Sequence, residues 1–288
     1  MKFGHFEIDV IETGIFALDG GPMFGVVPKV IWANTYNQGD ELNRIPLAAR
    51  LMLIRFDNKI ILVDTGNGNK FPEKIAQRFC INLEKSNLEY ALKPFGLKTY
   101  QITDVILTHL HFDHCGGATK IVNGKVVPTF ENAKYYVQKE QYNWAINPTE
   151  KDKASFIDDN YIPLKENGIL ELLDGNGEIF PGIEVITTNG HTRNMQMVKV
   201  SSEDGQIVFV SDFCPTSAHV PIPYVMGYDN EPLVAISERK KFLPEFVENG
   251  TILIYEHDAF KQASKVKLTE KGYIADVEIV ITNKNVFD

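Results

Sequence analysis

The sequence predicts an α/β fold built from two similar halves. Three observations carry that expectation: short apolar runs of strand character alternate with amphipathic helical segments, several runs end in a histidine or a carboxylate, and an apolar strand closed by Asp occurs twice, in Ile60 to Asp64 and in Ile207 to Asp212. With 288 residues, 44% hydrophobic and 23% charged, the chain suits a single domain over 1–288, and no Pro- or Ser-rich linker divides it.

Residues 3–18 alternate apolar and polar types and read as a strand or strand pair. From Leu18 to Trp32 the chain is rich in large apolar side chains, yet its glycines and prolines argue against a regular element. Such a loop either packs beneath the domain or walls a pocket or a subunit contact. Leu47 to Phe56 and Lys59 to Val63 form a hairpin around Asp57-Asn58, and Ile121 to Val127 form another around Asn123-Gly124. A helix is expected over Phe71 to Leu83, where Ile75, Phe79 and Leu83 share a face and Cys80 is a small core residue; a shorter one runs from Leu88 to Phe95 and stops at Gly96. A strand at 134–137 precedes a helix from Lys139 to Ile146, and 147–168 is polar without clear period. Strands follow at Ile183 to Thr187, Met195 to Ser201 and Ile207 to Val210, then a helix from Glu238 to Glu248, a strand from Thr251 to Tyr255 and a last strand from Ile274 to Ile281.

The net charge of -9 disfavours a nucleic-acid partner, which needs clustered cations to displace counterions, and none is expected. Arg239-Lys240-Lys241 is read as the solvated face of a helix. The start, Met1-Lys2-Phe3-Gly4-His5-Phe6-Glu7, lacks the apolar core of a signal peptide, and no run approaches the roughly 18 apolar residues that span a membrane, so a cytoplasmic protein without a membrane partner is expected. Cys80, Cys115 and Cys214 are too few and too scattered for a disulfide framework.

The densest chemistry lies in Thr108-His109-Leu110-His111-Phe112-Asp113-His114-Cys115-Gly116-Gly117, which holds three of the seven histidines directly after the apolar Val105-Ile106-Leu107. On an extended segment residues two apart point the same way, so His109 and His111 can face one cation while Asp113 and His114, past the bend, reach a second. Gly116 and Gly117 would let the backbone turn tightly there and start a helix without a Cβ clash. Later strands end in His191, Asp212 and His257.

The string His-Xaa-His-Xaa-Asp-His after an apolar strand resembles the signature of the metallo-β-lactamase-fold hydrolases, and the three later residues match that family's later motifs in order and context. The resemblance implies a four-layer αβ/βα sandwich of two mixed sheets flanked by helices. It implies that His109, His111 and His191 bind one divalent metal, that Asp113, His114 and His257 bind another, and that Asp212 bridges them. It also gives Asp64 the role of holding a ligand histidine by its second nitrogen, the alternative being a simple turn former. Two such cations acidify a shared water to a hydroxide, with Asp113 and Asp212 as the catalytic carboxylates, so no Ser or Cys nucleophile is needed. Zinc is the first expectation for a mostly imidazole ligand set, with iron, manganese or cobalt as alternatives.

Within the family, Gly20 to Lys29, Asn43 to Leu47 and Pro215 to Val220 look like stretches of N-acyl homoserine lactonases and organophosphate hydrolases. The implied substrate is a small molecule, an N-acyl homoserine lactone whose acyl chain would suit apolar walls at Met23, Phe24, Trp32, Phe213, His219 and Tyr224. A phosphotriester or aryl ester hydrolase is the alternative, and a non-catalytic metal-binding module a more distant one. Where lactonases carry a Tyr shortly after the bridging Asp, this chain has Phe213-Cys214-Pro215; Tyr224, Tyr228 or His219 is expected to supply that donor, His219 alternatively being a packing residue. A homodimer through the apolar N-terminal loop is a further expectation.

Overall fold

A computed structural model describes residues 1–282. They fall in two compact units, one of Met1–Phe16, Ala49–Gly175 and Thr282, the other of Ala17–Ala48 and Asn176–Ile281.

The first mixed sheet draws on β1 (Lys2–Phe3), β2 (Phe6–Asp19), β3 (Arg44–Phe56), β4 (Lys59–Val63) and β5 (Asp104–Ile106); a separate hairpin, β6 (Thr119–Val122) with β7 (Lys125–Pro128), then precedes β8 (Lys134–Gln138) and β9 (Leu170–Leu173). Its order is β1-β2-β3-β4-β5-β8-β9, antiparallel from β3 to β4 and parallel from β4 through β9. Both predicted hairpin turns are present, with Asp57, Asn123 and Gly124 at positive φ. Leu53, Leu62, Val105, Tyr135 and Val137 from this sheet are fully buried in one cluster with Leu88, Ala91, Leu92 and Leu164. Each such aliphatic side chain contributes about 1.5–3 kcal/mol on leaving water.

The second sheet comprises β10 (Gly177–Phe180), β11 (Ile183–Thr188), β12 (Met195–Ser202), β13 (Gly205–Phe209), β14 (Ile252–Ile254), β15 (Ala263–Thr269) and β16 (Gly272–Ile279), paired in that order. Only β13 and β14 are parallel. The echo seen in the sequence has a structural counterpart. In each unit a strand (β4, β13) is followed by a non-glycine residue in the left-handed region, Asp64 or Ser211, and pairs in parallel with the next strand of its sheet.

The helices are α1 (Gly20–Phe24), α2 (Lys29–Thr35), α3 (Glu73–Arg78), α4 (Leu88–Leu92), α5 (Phe112–Cys115), α6 (Lys139–Ala145), α7 (Ile162–Glu166) and α8 (Pro232–Glu248). Among the described residues, no helix is long and apolar enough to cross a membrane.

Several expectations are corrected. The segment from Leu18 to Trp32 is not irregular: the side chain of Asp19 caps α1 by accepting from Gly21 N at 2.8 Å, Pro22 lies in the first turn of α1, where no N–H is needed, and Pro28 immediately precedes α2. The prolines mark helix starts there. The expected helix to Leu83 ends at Arg78; Phe71 and Phe79 instead pack on Phe112, both at 5.5 Å between ring centres, and Cys80 is exposed with φ +56°. Helix α8 begins at Pro232, earlier than its periodicity suggested, because Leu233 and Val234 are exposed and mask the apolar stripe. Arg239 is 1% exposed and so is not on a solvated face; its guanidinium donates to the carbonyls of Phe213, Pro221 and Tyr224, while Lys240 and Lys241 are exposed. Strands β9, β10 and β15 add to those expected.

Candidate metal centre

In the first unit the parallel pairing of β4 with β5 places Asp64 beside the start of the histidine loop, with Asp64 N donating to Ile106 O at 2.9 Å. The Asp64 carboxylate is completely buried. Its Oδ1 accepts from Thr108 N at 2.7 Å, and its Oδ2 accepts from Thr108 Oγ1 at 2.5 Å and stands 3.2 Å from His114 Nδ1. With its own proton committed to Asp64, Thr108 Oγ1 accepts from His109 Nδ1 at 3.1 Å. Both rings thereby present an unprotonated Nε2. His109 Nε2 lies 3.0 Å from His111 Nδ1, and His114 Nε2 lies 3.8 Å from Asp113 Oδ1.

Main-chain contacts hold this loop. Thr65 N donates to His114 O at 2.7 Å and Gly117 N to Gly66 O at 3.2 Å, while Lys70 Nζ donates to the carbonyls of Gly116 and Thr119. Gly116 has helical φ (-58°), so the need is for space and not for a sharp turn. A Cβ there would fall 2.1 Å from Asn67 O, and one at Gly117 would fall 2.3 Å from Thr65 O. Cys115 is no nucleophile: burial pushes its thiol up to about 12, and Sγ donates to Leu110 O at 3.3 Å.

In the second unit the ends of β11, β13 and β14 lead to His191, Asp212 and His257, all buried. His191 Nδ1 stands 3.0 Å from Asp229 Oδ1, and His257 Nδ1 donates to Ala48 O at 2.8 Å. The Nε2 of each ring faces the Asp212 carboxylate, and in the neutral tautomer that carries its proton on Nδ1 it presents a lone pair there: His191 Nε2 is 3.1 Å from Oδ2, and His257 Nε2 is 3.2 Å from Oδ1. An acceptor oxygen facing an acceptor nitrogen is repulsive unless positive charge sits at the pair. Gly190, before His191, lies against α8, and Glu238 of that helix accepts from Asn189 N at 2.6 Å and Gly190 N at 3.1 Å.

The donor set fits divalent cations. Two ligand atoms about 2.0–2.2 Å from one tetrahedral ion lie about 3.3–3.6 Å apart. The His109–His111, His191–Asp212 and His257–Asp212 separations of 3.0, 3.1 and 3.2 Å are close to that, and the two oxygens of Asp212 face different rings. Held second nitrogens are what metal-ligating imidazoles need.

Of the residues expected to line a substrate pocket, Met23, Phe24, Trp32, Phe213 and His219 are buried in the second unit, and Tyr224 is half-buried. Phe24 stacks between Trp32 (5.2 Å) and His219 (4.4 Å). His219 donates through Nε2 to Met23 O at 2.8 Å, and its Nδ1 accepts from Thr216 Oγ1 at 2.7 Å. Burial lowers its pKa to about 3, so the ring stays neutral. Asp229 and Thr108 were not anticipated as supports. Asp229 sits in Gly227-Tyr228-Asp229-Asn230, which reads as an ordinary turn; Thr108 precedes the first histidine but carries no metal-ligand signal of its own.

The sequence profile of the Metallo-beta-lactamase superfamily matches residues 45–248, more than half of the chain. The chain belongs to that superfamily. It has the metallo-β-lactamase fold and is a hydrolase of this superfamily with a divalent-metal donor set. A crystal structure of a probable metal-dependent hydrolase from Staphylococcus aureus superimposes with TM-score 0.88 at 31% identity, covering 97% of this chain and 98% of that one. The N-acyl homoserine lactonase of Bacillus cereus is 25% identical over 237 residues, 78% of this chain and 86% of its own length. The structure of AidC, a dizinc quorum-quenching lactonase in complex with its product, shares the fold with TM-score 0.81 at 21% identity, covering 97% of this chain and 96% of that one.

Proposed function

We propose that this metallo-β-lactamase-superfamily hydrolase carries a dinuclear centre and opens the ring of N-acyl homoserine lactones, a quorum-quenching activity. The observation that carries the dinuclear part is the Asp212 carboxylate, each oxygen of which faces a different imidazole whose other nitrogen is already held. His109, His111 and His191 are assigned to one cation, Asp113, His114 and His257 to the other, and Asp212 to both. When bound, two divalent ions supply Lewis-acid polarisation of the acyl oxygen and a water acidified toward neutrality. The chain's part is to fix the donors. Thr108 and Asp64 set the rings of His109 and His114, while Asp229 and the Ala48 carbonyl set those of His191 and His257.

In the reaction the water oxygen bonds to the acyl carbon and the ring C–O bond breaks. Asp113 carries the proton from the water to the leaving alkoxide, giving an N-acyl homoserine. Tyr224 or Tyr228 is assigned the donor to the lactone carbonyl, since both ring nitrogens of His219 are engaged. The lactone choice is supported by the lactonase relatives. Zinc is the proposed metal, with iron, manganese or cobalt as the alternatives. The protein is proposed to be cytoplasmic, and Val26, Val30 and Ile31, exposed around α2, are the proposed homodimer contact.

Elemental analysis of the purified protein, with a panel of acyl homoserine lactones, simple lactones, aryl esters and a phosphotriester, tests the reading. About two transition metals per chain and turnover of the acyl lactones are expected. Fewer than one metal per chain removes the dinuclear enzyme, and turnover of the phosphotriester with failure on every lactone favours the alternative hydrolase.

A further inference from the structure

Asp229 precedes α8 and is 3% exposed. One carboxylate oxygen faces His191 Nδ1 at 3.0 Å; the other accepts from Met226 N at 2.9 Å. We infer that Asp229 is the positioning residue of His191, and that through Met226 it ties the angle of that ring to the segment from Tyr224 to Asp229. This rests on the reading of His191 as a metal ligand.

The carboxylate accepts from Nδ1–H, which fixes the tautomer and leaves the Nε2 lone pair directed at Asp212. Two main-chain bonds join the same stretches: Asn230 N donates to His191 O, and Glu231 N to Gly190 O, both at 2.9 Å. On its other side the segment is fastened to α1. Gly227 N donates to Pro22 O at 2.8 Å, and Gly25, at φ +57°, approaches so closely that a Cβ would fall 2.6 Å from Val225 O. Arg239 Nη1 donates to Tyr224 O at 2.7 Å. The segment is thus anchored at α8, at α1 and at His191, and a shift at its α1 contact is transmitted through Met226 and Asp229. Asparagine cannot replace the carboxylate. His191 Nδ1–H and Met226 N–H are both donors, and an amide offers an acceptor to only one of them.

The test uses full-length protein stripped of metal, as wild type, D229N, D229A and H191A, titrated with Co²⁺ and with Zn²⁺ against a chromophoric chelator. Both Asp229 variants are expected to bind the His191-dependent ion about 10–100-fold more weakly, with D229N close to D229A. They are also expected to alter the visible spectrum of the cobalt form and to lose the downfield His191 Nδ1–H resonance of the zinc form. If wild type binds no metal, or H191A binds like wild type, the ligand reading of His191 fails. If H191A loses the ion while both Asp229 variants match wild type in affinity and spectrum, only the positioning role fails. Gly25→Ala made in wild type and in D229A tests the coupling: it should weaken the ion in the first background and have no further effect in the second, and equal weakening in both overturns it.

Discussion

Replacing Asp64 with Ala measures how far one carboxylate sets the histidine loop. Asp64 accepts from Thr108 N and Thr108 Oγ1 and faces His114 Nδ1, with no exposure to solvent. The three partners are not affected equally. The Thr108 hydroxyl can turn to His109 Nδ1, 3.1 Å away, once that ring takes its other tautomer, whereas Thr108 N–H and His114 Nδ1–H lose the acceptor they now have. A hydrogen bond to a charged group contributes about 1.5–3 kcal/mol, so losing the two made to the Asp64 carboxylate costs about 3–6. Alanine in the left-handed conformation that Asp64 adopts, φ +60°, adds about 1–2 kcal/mol. Asparagine tolerates that φ and keeps an oxygen for Thr108 N–H, so D64N should lose only about 1–3 kcal/mol. Urea unfolding of the metal-free protein, followed by circular dichroism, gives the comparison; metal-free conditions keep lost metal affinity out of the result. A D64A loss below about 1 kcal/mol, or a D64N loss equal to that of D64A, would refute this account of the bonds.

Two other substitutions probe the second unit. His219 has a folded pKa lowered from 6.5 to about 3, so on acidification the unfolded chain takes up this proton first. The stability it contributes is fully present above about pH 6.5 and is lost as pH falls toward 3; His219→Phe should therefore show a flatter decline than wild type between pH 6 and 4, and parallel declines would contradict it. Gly190→Ala would put a Cβ 2.4 Å from Ala235 Cα in α8, a contact with helix backbone that side-chain rotation cannot relieve. A loss of about 1–3 kcal/mol in thermal or urea melts is expected. Adding Ala235→Gly should not rescue it, because the clashing backbone atoms remain; full rescue would place the conflict in the Ala235 methyl alone.

The parts of this molecule legible in the sequence are those whose signal is local. Asn123-Gly124 and Asp57-Asn58 mark turns by their own backbone preferences, and the density of His109, His111, Asp113 and His114 marks donors without reference to anything distant. Arg239 was misread because its three carbonyl partners lie 15 to 26 residues away, and nothing in Arg-Lys-Lys tells the buried cation from its two exposed neighbours. Asp229 was hidden for the same reason, 38 residues from His191. The segment from Leu18 to Trp32 failed differently: its prolines and glycines were read as breakers, whereas position within a turn decides whether they start, end or forbid a helix. Of the two roles expected of Gly116 and Gly117, a tight turn and the absence of a side chain, the second is the one used.

That absence bears on how the protein can change. Gly68, Gly116 and Gly117 mesh as a main-chain zipper, each with a carbonyl oxygen 2.1–2.4 Å from where a Cβ would stand. A zipper of this kind cannot be altered one tooth at a time, so the donor loop is closed to gradual variation. A library seeking new substrates should therefore hold the three glycines fixed. Clones that alter a zipper glycine should be lost at the level of soluble expression, before any question of turnover arises.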